Sequence, residues 1–127
     1  MSHCTMKGAI MIEMTVLEVL KQARELVKQG WCQNAFAQNG EGEQVSTWSN
    51  RACKFCAWGA IRAVVDGDHE AEDGAVRALV RALGKNPEAV TGAIVNWNDA
   101  FGRKQIDVIE AFDLAIEQEA NRVSQVD

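Results

Sequence analysis

The sequence predicts a mainly all-α domain: a compact bundle of about five helices with a short irregular or β-hairpin insertion around residues 32–48. Three observations carry this expectation. Apolar residues recur at helical spacing in several separate stretches. Cap and stop residues bracket most of those stretches. One Pro and ten scattered Gly in 127 residues suit helices better than many short strands.

The first helix is the best marked. Thr15-Val16-Leu17-Glu18 has the form of a capping box, in which Thr15 and Glu18 satisfy backbone donors reciprocally. Met14 before the cap and Val19 after it suit a hydrophobic staple. Val16, Leu20, Ala23 and Val27, joined by Val19 and Leu26, form one apolar stripe. Gly30 is expected to end the helix in a left-handed cap, folding Trp31 back on Leu26.

Residues 32–48 lack a helical period, and their NGEG core between Phe36-Ala37 and Val45 points to a turn or short hairpin. Ser49 or Asn50 is then expected to cap a second helix over 51–65, with Ala52, Phe55, Cys56, Ala60, Ile61 and Val64 on one side. Asp66-Gly67 stops it. Asp68 caps a third helix with acids in its first turns, a core stripe of Val76, Leu79, Val80 and Leu83, an Asp73–Arg77 pair and a closing Gly84. Asn86-Pro87 predicts the start of a fourth helix running to about Trp97 and burying Val90, Ile94 and Trp97. Asp99-Ala100-Phe101-Gly102 suits a type I turn. A fifth helix over about 104–121 would bury Ile106, Ile109, Phe112, Ala115 and Ile116. The domain expectation is one helical unit over 15–121, with a flexible segment over 1–14 and a tail over 122–127.

A net charge of −5 disfavours non-specific nucleic-acid binding, which rests on cationic side chains neutralising phosphates. Lys21, Arg24 and Lys28 form a basic stripe, but Glu18 and Glu25 dilute it into a solvated face. No stretch has the ~20 apolar residues of a membrane span, and the N-terminus lacks signal-peptide form. These features point to the cytoplasm and to reduced thiols.

The sharpest chemical question is the CKFC run, Cys53 to Cys56. With Cys32 and His69 it offers a four-ligand zinc set, Cys32, Cys53, Cys56 and His69. Read as part of a helix from residue 49, however, Cys53 stands a turn too deep for a redox thiol, and no base accompanies either sulfur. Buried packing is the expectation, with no metal and no cofactor. The acidic run 66–73 fails the EF-hand pattern. No phosphate loop, dinucleotide fingerprint or nucleophile elbow occurs, so the chain leans away from being an enzyme. Asn98, Asp99 and Arg103, with Gln33 nearby, form the other candidate: a polar ligand site, or simply a turn whose charge Arg103 offsets.

GWCQ (30–33), FCAWGAI (55–61), WNDAFGR (97–103) and VIEAFDLAI (108–116) together resemble a small bacterial and phage helical domain family of unknown function. The resemblance spans roughly 15–118 and carries Trp31, Cys32, Gln33, Cys56, Gly59, Trp97, Asn98, Asp99 and Arg103 onto family positions. Cys53 falls where that pattern has an ordinary apolar residue, and Phe101 where it often has Pro. The resemblance implies the fold and a shared site around Trp31, Gln33, Trp97, Asn98, Asp99 and Arg103, without an activity. The expectation is a protein-interaction or regulatory module that binds another protein or itself. The alternatives are a small-molecule-binding or hydrolytic protein with a pocket near Gln33, Asn98, Asp99 and Arg103, and a structural zinc domain.

Overall fold

The computed structural model describes residues 14–88 and 92–124. Five helices, α1 (Val16–Gln29), α2 (Ala57–Val65), α3 (His69–Ala82), α4 (Ala93–Asn98) and α5 (Gln105–Ser124), surround one apolar core. Two short strands, β1 (Ala37–Gln38) and β2 (Lys54–Phe55), pair antiparallel between α1 and α2. The mainly helical architecture is the one the sequence predicts; β1 lies in the expected insertion, whereas its partner β2 lies beyond it, where the sequence predicts a helix. Of the segment 1–14 expected to be flexible, only Met14 is described, and it packs half-buried against the core. The rest of that segment and Val90 fall outside the described residues.

Helix α1 begins as its sequence dictates. Thr15 Oγ1 accepts from Glu18 N–H at 3.1 Å, and Thr15 N–H donates to the Glu18 carboxylate at 3.1 Å, completing the box. Val19, Leu20, Ala23, Leu26 and Val27 are buried, and the helix packs most extensively on α5 and α2. Its C-terminus departs from expectation. Gly30 is extended (φ −174°, ψ 134°) and not left-handed. Glycine is needed there because a Cβ would run into the Cys53 carbonyl, whose strand crosses directly above. The orphan carbonyls of Val27 and Lys28 are satisfied from afar, by Gln105 Nε2 at 2.8 and 3.3 Å.

Residues 51–56, expected as the first turns of a helix, are instead a turn and a strand. The Ser49 hydroxyl does accept a backbone N–H, that of Arg51 at 3.0 Å, but it closes a local turn and starts no helix. The chain then extends as β2. Phe55 N–H donates to Gly30 O at 3.0 Å, and Cys53 N–H donates to Gln38 O at 2.8 Å. β2 is therefore flanked by residues 30–32 on one side, in a parallel bridge at Trp31–Phe55, and by β1 on the other. Phe55, fully buried, faces the core from a strand. Apolar residues at 52, 55 and 56 fit a helical stripe and a short buried strand equally well, and the competition for strand hydrogen bonds decides between them.

The real cap of α2 is Cys56, whose Sγ accepts from Gly59 N–H at 3.2 Å. The insertion turns at Asn39: its Oδ1 accepts from Glu41 and Glu43 N–H, both at 2.9 Å, and Gly42 takes φ +83°. A bridge between Gln38 and Gln44 makes this a minimal hairpin.

Helix α3 follows expectation, with Asp68 capping Ala71 N–H at 3.1 Å, an Asp73–Arg77 pair at 2.8 Å and Gly84 at φ +76°. Asn86 caps only a turn, through Glu88 N–H at 3.0 Å. Helix α4 does not begin at Pro87: its N-cap is Gly92, whose φ of +79° separates it from any earlier helical backbone. The turn after α4 closes one residue later than expected, by Arg103 N–H on Ala100 O at 3.0 Å, with Gly102 at φ +85°. Along α5, Val108, Ala111, Phe112 and Ala115 are buried. Ile109 and Ile116 pack partly against them, but Ile106 is exposed. The same helix continues through Ser124, beyond the expected boundary at 121.

Candidate functional site

The candidate residues meet where the end of α4 abuts the start of α2 and the chain leaving α1. Asn98, the last residue of α4, is fully buried and joins all three. Its Oδ1 accepts from Trp31 Nε1–H at 2.8 Å and from Ala57 N–H at 3.0 Å. Its Nδ2 donates to Cys32 O at 3.1 Å and to Asp99 Oδ1 at 2.9 Å. Two acceptor and two donor positions are thus all used, so the side chain can bury at no polar penalty.

The neighbours reinforce this joint. Gln33 Nε2 donates to Asn98 O and Ala100 O at 3.0 and 3.1 Å. Asp99 Oδ1 also accepts from Asn34 N–H at 3.0 Å, and Asn34 is held at φ +66°. Arg103 does not offset the charge of Asp99. Its Nε donates to Trp97 O at 2.8 Å, and its guanidinium stacks 4.1 Å from the centre of the Trp97 ring. So Trp31, Gln33, Asn98 and Asp99 converge, but Gln33 Nε2 is spent on backbone carbonyls and the Asn98 amide is divided between backbone (Ala57 N–H, Cys32 O) and side chains (Trp31, Asp99). Trp97 and Arg103 pair with each other beside them.

A cleft of about 390 Å³ opens next to this joint, lined by Asn34, Ala35, Phe36, Gln44, Cys56, Val95 and Asp99. Of the polar residues read from the sequence, only Asp99 reaches it. Phe36, on the cleft's rim, also belongs to an aromatic cluster that the sequence did not reveal. The Arg62 guanidinium lies 5.3 Å from the Phe36 ring centre and 5.6 Å from that of Trp48. Phe36 meets Trp58 edge-on at 6.2 Å. Trp58 Nε1 donates to Glu72 Oε2 at 2.7 Å, and Trp48 Nε1 to Arg62 O at 3.3 Å. Arg62 lies 3.7 Å from Glu72, yet its buried Nε has no hydrogen-bond partner among the described residues. Trp58 and Arg62 share a face of α2 by their spacing, a signal present in the sequence. Phe36 and Trp48 come from the insertion, and nothing in the sequence aims them at Arg62.

The cysteines occupy different settings. Cys53 lies half-buried at the approach to β2 and is engaged in a disulfide, against the expectation of reduced thiols. Cys32 and Cys56 are free and buried. Burial, with the neighbouring Cys56 and Asp99, pushes the Cys32 thiol up to about 12. Burial pushes Cys56 up to about 11, against the opposing pull of the backbone N–H groups at the start of α2. The position of Cys56 as helix cap differs from its expected place inside a helix, yet desolvation wins and the thiol stays protonated. His69 stands exposed at the start of α3, beside Glu72. No group of three or more His, Cys, Asp or Glu side chains gathers in metal-binding geometry among the described residues. No helix among them is long and apolar enough to cross a membrane.

Comparison with curated proteins and with solved structures returns no match. Residues 11–118, which include the whole Asn98 joint, the cleft and the aromatic cluster, match a family of unknown function. The chain belongs to that family, DUF6197.

Proposed function

We propose that the chain is a protein-interaction module, of bacterial or phage origin, whose docking face is the Phe36–Trp48–Trp58–Arg62 cluster. The observation that carries this reading is exposure combined with order. Trp48 is 46% and Phe36 37% exposed, yet both rings are held by Arg62. Trp, aromatic and Arg side chains are the residue types that dominate binding energy at protein interfaces. Rings already fixed by stacking and hydrogen bonds lose little freedom on binding. The adjoining joint has the character of a scaffold: all four hydrogen-bond positions of the buried Asn98 amide are taken, two by backbone and two by Trp31 and Asp99, which ties the chain leaving α1 to α2 and α4.

The test is affinity capture from lysate of the source cells, with wild type and Trp48→Ser as parallel baits and matched thermal melts. Sedimentation equilibrium of both proteins comes first, to identify self-association. A stoichiometric partner, or a dimer, held by wild type and lost in Trp48→Ser supports the reading. Retention unchanged by the substitution places the interface elsewhere and overturns it.

A further inference from the structure

We propose that the cleft beside Asp99 is a binding site for an alkyl ammonium or alkyl guanidinium group. The site stands apart from the aromatic docking face and shares only Phe36 with it. Asp99 supplies the charge. Its Oδ1 is fixed by Asn34 N–H and Asn98 Nδ2, and its backbone N–H bonds to Val95 O at 2.9 Å. Its Oδ2 has no hydrogen bond, and the carboxylate is in no ion pair, among the described residues. A carboxylate so positioned, with one oxygen spare, is ready for a charge-assisted bond.

The other lining groups fit the same ligand. Phe36, Val95 and Ala35 give an apolar wall for a short alkyl chain. The side-chain amides of Asn34 and Gln44 make no hydrogen bonds among the described residues and leave their carbonyl oxygens available as further acceptors. The volume of about 390 Å³ lies at the small end of ligand sites. An anion is the competing occupant, because the start of α2 points here. It is disfavoured by Asp99 itself, and two of the N–H groups that would hold it are taken: Ala57 by Asn98 Oδ1 and Gly59 by Cys56 Sγ.

The experiment is an amide-resolved NMR titration of the full chain with n-butylammonium, n-butylguanidinium and, as neutral control, n-pentanol. Saturable shifts at Asn34, Phe36 and Asp99 are expected with either cation and not with the alcohol. Asp99→Asn keeps an Oδ1 for both existing bonds while removing the charge. It should weaken cation binding about tenfold or more, equivalent to about 1.4 kcal/mol. Gln44→Arg, on the exposed rim, brings a competing cation of the chain's own and should weaken it as well, whether or not Asp99→Asn folds. Nα-acetyl-lysine amide binding more tightly than n-butylammonium assigns the site to a protein side chain, and the reverse order to a free amine. No saturable shift with either cation, or equal shifts with n-pentanol, overturns the proposal. Trp48→Ser leaves this titration unchanged, so failure here and failure of the docking reading are separable.

Discussion

At the scale of single residues, Asn98 has the largest predicted consequence. Asn98→Ala would leave Trp31 Nε1–H, Ala57 N–H and Cys32 O without their partner around a fully buried position. Each stranded buried group costs about 1–3 kcal/mol, so a loss near 3–5 kcal/mol is expected in urea unfolding followed by Trp fluorescence. A loss below about 1 kcal/mol would mean that water replaces the amide. The two free cysteines give a pH prediction. A thiol whose folded pKa lies above its unfolded value keeps its proton while the unfolded chain releases one. The stability they contribute is therefore complete below about 9, the ordinary thiol value, and declines as pH rises towards 11 and 12. The urea midpoint should fall between pH 8 and 10 by more in wild type than in the Cys32→Ala, Cys56→Ala double variant. Trp31, Gln33, Asn98 and Asp99 could be singled out in the sequence, but their division of labour could not. The Trp31–Asn98 bond spans 67 positions, and only the packed helices bring its ends together.

At the scale of elements, caps were legible where they are local and misread where the partner is distant. The Thr15–Glu18 box is complete within four residues, and Thr15→Ala should cost about 0.5–2 kcal/mol by thermal melt. A neutral result would show that the helix starts elsewhere in solution. Helix α2 is the contrary case. Ser49 and Asn50 look like caps, but Gly30 and Gln38 offer β2 the hydrogen bonds that would otherwise build a helical turn. Gly30 shows the same limit, since the neighbour that requires it is 23 positions away in Cys53. Gly59 gives a prediction of sign. By helix propensity alone, Gly59→Ala should stabilise by about 1 kcal/mol. A Cβ there would strike the Phe36 carbonyl, which is backbone and cannot swing aside. The clash should win, with a net loss of about 1–3 kcal/mol. A stabilised variant would show that the insertion rides loosely on α2.

At the scale of the whole molecule, the fold class was readable because three long helices, α1, α3 and α5, carry amphipathic periods. The arrangement was less so, because α1 packs against α2, α3, β2 and α5 at once, and no local signal announces a centre. That central placement shapes how the chain leaves a ribosome. The helix made first among the five makes its most extensive contact with the one made last. At roughly 5–20 residues per second, the apolar side of α1 waits on the order of 5–20 s for its counterpart. Throughout that interval the part of α1 that α5 will cover faces solvent or a chaperone, even once α2 and α3 have emerged. A stalled or truncated product lacking α5 would consequently be a sticky, protease-sensitive fragment and no smaller version of the domain.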